Sequence, residues 1–136
     1  MVESKDISIV VPVKNEAGNI DPLINEIYIS LKKCNYEIIY VYDGSTDNTS
    51  SELKNNLKLR VISHLNSLGQ SAALRSGILA SKSDLVGTLD GDGQNDPSDL
   101  PKMIELINQE KNSMVLVGGV RVKRQDNIAR LWASSF

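Results

Sequence analysis

The 136-residue chain contains one cysteine, one histidine, one tryptophan and one phenylalanine, and only 4% of it is aromatic. A lone thiol, Cys34, closes no internal disulfide and leaves no cysteine-based zinc site. A lone histidine, His64, excludes the paired histidines of a zinc protease and argues against a Ser-His-Asp nucleophile; at a strand end it reads as a structural residue. No apolar stretch approaches the ~18 residues that span a bilayer. Glu3 and Asp6 stand where a secretion signal needs basic residues. No G-x-x-x-x-G-K-[ST] occurs, and no G-x-G-x-x-G follows the first apolar run, which excludes P-loop nucleotidases and dinucleotide-binding dehydrogenases. These absences predict a cytoplasmic domain, soluble or peripheral to a membrane.

Charged residues at 24% and apolar residues at 40% are ordinary globular values and exclude wholesale disorder. The length fits one domain, 1–136, with a real core. Net charge is −2. The run 121–130 carries +3, from Arg121, Lys123, Arg124 and Arg130 against Asp126, so the first 120 residues carry −5. An acidic body of this kind is a poor nucleic-acid binder. The basic run suits an anionic lipid surface or a substrate phosphate, and equally a solvated helix face.

Strand-like and helical patterns alternate along the chain. The β-branched run 7–13 predicts a strand buried on both faces. Ile20, Leu23, Ile24, Ile27 and Leu31 then recur at helical spacing. A second strand over 37–42 ends in the turn formers Asp43-Gly44-Ser45-Thr46-Asp47, where Asp47 caps a helix carrying Leu53 and Leu57. A third strand covers 59–63. Asn66 or Ser67 opens a helix whose small residues, Gly69, Ala72, Ala73, Gly77 and Ala80, allow close approach to a sheet. A fourth strand covers 84–90. Asp96 and Pro97 start a helix buried through Leu100, Met103, Ile104 and Ile107. A fifth strand, 113–119, ends in Gly118-Gly119, and a helix begins near Gln125. No stop signal follows it, so the sequence reads as cut short at its C-terminus. The order predicts an α/β fold with an open, mostly parallel sheet and helices on both faces.

Ligands of such sheets sit beyond the carboxyl ends of the strands. Pro12–Glu16, Tyr42–Ser45, Asp90–Asp96 and Gly118–Arg121 occupy those ends. Asp90 and Asp92, two apart, face one side if the segment is extended. At ~6 Å and an effective dielectric of ~20 their repulsion is about 3 kcal/mol, which a hard divalent cation offsets. Gln94 adds a carbonyl oxygen if the segment stays extended. Mg²⁺ or Mn²⁺ shared with a phosphorylated substrate suits so few protein ligands. A bare D-x-D is as often a solvated turn that caps the next helix; its place at a strand end favours the metal. A calcium EF-hand is excluded, because Asn95 and Pro101 occupy the positions that need glycine and glutamate.

Five stretches, IVVPVKNE (9–16), VYDGSTDNT (41–49), NSLGQSAALRSGI (66–78), LDGDGQNDP (89–97) and GGVRVKRQD (118–126), together resemble the family 2 glycosyltransferases of GT-A fold. The resemblance is to the branch of dolichyl-phosphate mannose synthase and bacterial polyprenyl-phosphate sugar transferases. It implies that Pro12, Val13, Asn15, Glu16, Val41 and Asp43 hold the nucleotide of a UDP- or GDP-linked sugar. Asp90, Gly91 and Asp92 then lie against the diphosphate, with Asp90, Asp92 and Gln94 on the metal, Asp92 as the catalytic aspartate and Arg121 near the phosphates. The implied reaction is metal-dependent transfer with inversion to a polyprenyl phosphate, whose anionic oxygen needs no strong base, at the cytoplasmic face of a membrane. Tyr42 departs from the family, which has an aspartate there. Two other readings stand beside this one. One is a nucleotide- and metal-binding remnant without transfer. The other is a sugar-phosphate nucleotidyltransferase, which would need a more glycine-rich and basic loop than PVKNEAGNI.

Overall fold

The computed structural model describes residues 6–47, 49–54, 59–110 and 117–118, with the backbone alone at Lys54. The chain divides into two compact units, Met1–Leu100 and Pro101–Phe136. In the first, strands β1 (Ile7–Val13), β2 (Tyr36–Tyr42), β3 (Arg60–Ser63) and β4 (Val86–Thr88) form one sheet in the order β3-β2-β1-β4. All three pairings are parallel. Helices α1 (Ile20–Ser30), α2 (Thr49–Lys54) and α3 (Gln70–Ala80) fill the crossovers, and a 3-10 turn, Pro97–Asp99, precedes α4 (Leu100–Gln109). None of the helices among the described residues is long and apolar enough to cross a membrane.

β1 lies between β2 and β4, and Ile9, Val10 and Val11 are fully buried there. A run of β-branched residues suits that position, since stiff side chains on both faces of a pleated strand pack against both covering layers. Ser8, Val10, Glu37, Ile39 and Val41 share one face of the paired strands, because Val10 pairs with Ile39 and Ser8 with Glu37. Helix α3 packs on that face through Ala73, in a cluster with Val10, Ile39 and Val41. A Cβ at Gly77 would stand 2.3 Å from Val10 Cγ1 and 3.1 Å from Val41 Cγ2. The helix therefore rests its backbone on the strands, as the run of small residues predicts.

At the N-terminal edge of the sheet one buried carboxylate joins three strands. Glu37 accepts from Ser8 Oγ (2.6 Å), from the Lys82 amide (2.7 Å) and from Arg60 (2.7 Å). Arg60 also donates to the Ala80 carbonyl at 2.9 Å, which closes the C-terminal end of α3 onto β3. Burial opposes the charge on Glu37, but these donors outweigh it and hold its carboxyl below the ordinary range.

The elements differ from the predicted ones in places. α3 begins at Gln70 rather than at 66 or 67, because Gly69 before it has a non-helical backbone (φ 95°). β4 covers Val86–Thr88 only, and Leu89 makes one further bond to Val10 before the chain turns away. Asp96 caps its turn as predicted, accepting from the Ser98 amide at 3.0 Å with Pro97 next to it. The predicted fifth strand lies outside the described residues except for Val117 and Gly118, which carry no regular structure; the terminal helix lies wholly outside them.

Gly77→Ala should lower stability by about 1–3 kcal/mol in urea denaturation, since an overpacked methyl must displace β1 or α3. Tyr40 is fully buried, and its hydroxyl finds no hydrogen-bond partner among the described residues. Tyr40→Phe should therefore raise stability by about 1 kcal/mol in the same assay, because it removes a buried donor left unpaired.

Candidate functional site

The strand order runs outward from β1 through β2 to β3, then returns to the other side of β1 with β4. The carboxyl ends of β1 and β4 therefore lie side by side where the strand order reverses, the usual place for a ligand in such a sheet. A cleft of about 360 Å³ lies there, lined from β1 by Pro12, Val13, Lys14 and Glu16, and beyond β4 by Asp90, Gly91 and Asp92. Asp43, Ser67, Gly69 and Gln70 complete its wall.

The β1 loop is held by the residues after β2. Asn15 adopts a left-handed backbone (φ 55°), which asparagine tolerates better than most residues. Four successive amides then meet four side chains. Asn15 donates to Ser45 Oγ (2.9 Å), Glu16 to Thr49 Oγ1 (2.9 Å), Ala17 to Asp47 Oδ2 (3.2 Å) and Gly18 to Glu52 Oε1 (2.7 Å). In return, Asn15 Oδ1 accepts from the Thr46 amide at 2.7 Å. Asp47 also accepts from the Thr49 amide at 3.0 Å, the capping bond expected at the start of α2. The cluster that reads as a turn is thus also a row of acceptors for a neighbouring loop.

Asp43 has the densest bonding in the site. Oδ1 meets His64 Nδ1 (2.8 Å) and the Leu68 amide (2.9 Å); Oδ2 meets the Gly69 amide (2.9 Å) and Ser67 Oγ (3.2 Å). Burial opposes its ionisation, but the Leu68 amide, His64, the Gly69 amide and Ser67 together hold its pKa down at about 2. These bonds hold residues 64–69 in a non-helical path, so α3 starts only after Gly69, whose φ is 95°.

The acidic segment turns instead of staying extended. Gly93 has φ 76°, and Asp92 Oδ1 accepts from the Gln94 amide at 3.0 Å, a local turn that carries Gln94 out of line with the aspartates. The Asp90 amide donates to Asn95 Oδ1 at 2.7 Å, and Asp90 Oδ1 accepts from Gln70 Nε2 at 3.2 Å. Gly91 lies against β1: a Cβ there would meet Val13 Cγ1 at 2.6 Å and Glu16 Cγ at 3.3 Å. Only a residue without a side chain brings Asp90 and Asp92 so close to the β1 loop.

Of the residues singled out from sequence, Pro12, Val13, Glu16, Asp43, Asp90, Gly91 and Asp92 meet in the cleft. Asn15 instead holds Thr46, and Val41 is fully buried in the core beneath α3. Gln94 does not line the cleft, and Arg121 lies outside the described residues. Tyr42 faces away: it lines a separate hollow with Ser50, Leu53, Val61 and Ser63, and its hydroxyl donates to the Ser45 carbonyl at 2.8 Å. Sequence reasoning assigned no site role to Lys14 and Gln70, and gave Ser67 only that of opening a helix. Lys14 was in view at the end of the first strand, but nothing local shows that its ammonium reaches Ser67 Oγ, 53 residues on, at 2.9 Å.

The described lining carries four carboxylates, Glu16, Asp43, Asp90 and Asp92, against the single cation Lys14, a formal charge of −3. Asp90 and Asp92 are exposed, hard oxygen donors. Among the described residues no group of three or more acidic, histidine or cysteine side chains forms a metal cage. The pair thus fits a cation that takes its remaining ligands from water and substrate, as Mg²⁺ or Mn²⁺ does.

The carboxyl of Asp43 loses its proton more readily folded than unfolded, where the ordinary value is 3.8. Its stabilisation is therefore complete above that value and lost as pH falls through about 2. Asp43→Asn should cost about 1–3 kcal/mol at neutral pH, with the gap from the parent narrowing across that acid window in pH-dependent urea melts.

The family model for glycosyl transferase family 2 matches residues 8–135. The chain is 34% identical over 134 residues to dodecaprenyl-phosphate galacturonate synthase of Rhizobium johnstonii, covering 93% of this chain and 39% of that protein. It is 36% identical over 138 residues to undecaprenyl-phosphate 4-deoxy-4-formamido-L-arabinose transferase of Pseudomonas savastanoi pv. phaseolicola, covering 96% and 40%. Among solved structures, glucosyl-3-phosphoglycerate synthase from Mycobacterium tuberculosis, in complex with Mn²⁺, UDP and phosphoglyceric acid, superposes with a TM-score of 0.64 at 25% identity, covering 79% of this chain and 40% of that one. The chain thus spans about 40% of the length of the relatives it matches. With the match running from β1 almost to the last residue, the chain belongs to glycosyl transferase family 2.

Proposed function

We propose that this chain is the donor-binding part of a metal-dependent, inverting glycosyltransferase. It takes a UDP- or GDP-linked sugar and serves a polyprenyl-phosphate acceptor at the cytoplasmic face of a membrane. The observation that carries the reading is the charge of the cleft. A lining at −3 repels a nucleoside diphosphate, and Lys14 alone does not reverse that. Paired aspartates at the mouth supply a place for the positive charge that is needed. The lipid-linked acceptor is supported by the two bacterial relatives, both of which are polyprenyl-phosphate sugar enzymes by name.

In this reading Asp90 and Asp92 hold the cation, and Gln94 faces it only if the turn at Gly93 opens. Asp92 is the carboxylate nearest the chemistry. A bound Mg²⁺ or Mn²⁺ supplies charge neutralisation for the departing diphosphate. Pro12, Val13 and Glu16 line the nucleotide's place beside β1, and Lys14 presents an ammonium there. Arg121, which the resemblance assigns to the phosphates, lies outside the described residues. The acceptor phosphate oxygen bonds to the anomeric carbon as the bond to the nucleoside diphosphate breaks, so configuration inverts. No protein base is required, because the acceptor is already anionic.

Calorimetric titration with UDP and GDP, in Mn²⁺ and then in EDTA, tests the reading. Binding should require the metal and favour one base. Asp92→Asn should weaken it by at least about tenfold while leaving the melting temperature unchanged or raised. Equal binding in EDTA, or by the variant, overturns the metal assignment. Binding without sugar transfer to polyprenyl phosphate would leave a nucleotide-binding module instead of an enzyme.

A further inference from the structure

We propose that His64 is a positioning residue of this cleft: through Asp43 and Ser76 it sets the path of the 64–69 segment that forms one cleft wall. The inference rests on the donor-cleft reading for its consequence, and on hydrogen bonding alone for its geometry. The His64 side chain is only 10% exposed and is bonded at both ring nitrogens, Nδ1 to Asp43 and Nε2 to Ser76 Oγ at 2.8 Å. An ionised carboxylate only accepts, so Nδ1 carries a proton. In the neutral ring Nε2 then accepts from the Ser76 hydroxyl, and the imidazole joins the end of β3 to the middle of α3.

The consequence for Asp43 is specific. A carboxylate has about four acceptor sites, and His64, Ser67, Leu68 and Gly69 supply four donors. These donors fix the carboxylate's place in the cleft lining, so His64 bears on the position of the residue that the family resemblance assigns to the base and ribose. The wall leads onward to the acidic turn, because Gln70 follows Gly69 directly and donates to Asp90. It is also pressed from behind: a Cβ at Gly44, whose φ is 71°, would stand 2.9 Å from the Ser67 amide nitrogen. A contiguous set of bonds thus runs from His64 to the carboxylate pair at the cleft mouth.

The test compares the parent chain with His64→Ala, His64→Asn and Ser76→Ala. Asparagine keeps an N–H donor near the place of Nδ1, so it separates donation to Asp43 from ring packing. In the parent, long-range proton–nitrogen NMR should show the Nδ1-protonated ring. In His64→Ala, amide exchange at Leu68 and Gly69 should quicken by about tenfold while β1 and β2 keep their protection. Affinity for the UDP–Mn²⁺ or GDP–Mn²⁺ pair should fall by about tenfold, and His64→Asn should restore both to within about threefold. Ser76→Ala should show a smaller change of the same sign. Unchanged exchange at Leu68 and Gly69 overturns the proposal, and so does an even loss of protection across the sheet, which marks a plain stability role. Faster exchange with unchanged affinity refutes the link to the cleft. If the parent binds neither nucleotide, the donor reading fails by itself, and the exchange and NMR results still decide what His64 holds.

Discussion

The carboxylate of Asp43 is the joint on which the cleft depends. It leaves the end of β2 almost completely buried and collects two amides, a hydroxyl and an imidazole from one segment 21 to 26 residues further on. A buried charge costs several kcal/mol unless donors surround it, and here they do. The same bonds hold the segment in a non-helical path as far as Gly69, whose φ of 95° lies outside the helical region, and α3 begins at the next residue. They also decide which residues, Ser67, Gly69 and Gln70, face the crevice.

A second constraint is how closely backbones approach. Gly77 lets α3 settle on Val10 and Val41, and Gly91 lets the acidic turn settle on Val13 and Glu16. These two contacts bracket β1, one on its face and one at its end. The loop after β1 is tied by side-chain bonds to the loop after β2 and to α2, through the row of amides from Asn15 to Gly18.

Electrostatics then narrows what can occupy the crevice. Four carboxylates with one ammonium favour cations and disfavour bare anions. The pair Asp90 and Asp92 is at the rim and exposed, so a cation there keeps open positions for substrate oxygens. Lys14, tethered to Ser67, is the one fixed positive charge among the described lining residues.

The amino-acid sequence by itself determined the element types, the parallel α/β class and which strand ends carry polar groups, because periodicity and turn chemistry are local properties. It also made Asp90, Asp92 and the β1 end legible as one site, since strands in such a fold present their carboxyl ends together. What only the tertiary structure decided is how individual side chains are used. Asn15 and Val41 are outside the cleft lining: Asn15 Oδ1 accepts from the Thr46 amide and the Val41 side chain packs in the core. His64 reads as an isolated strand-end residue until folding brings Asp43 and Ser76 to its two nitrogens. Hydrogen bonds between residues far apart in sequence leave no periodic trace, so only the assembled fold shows which polar groups are already satisfied and which are left to meet a ligand.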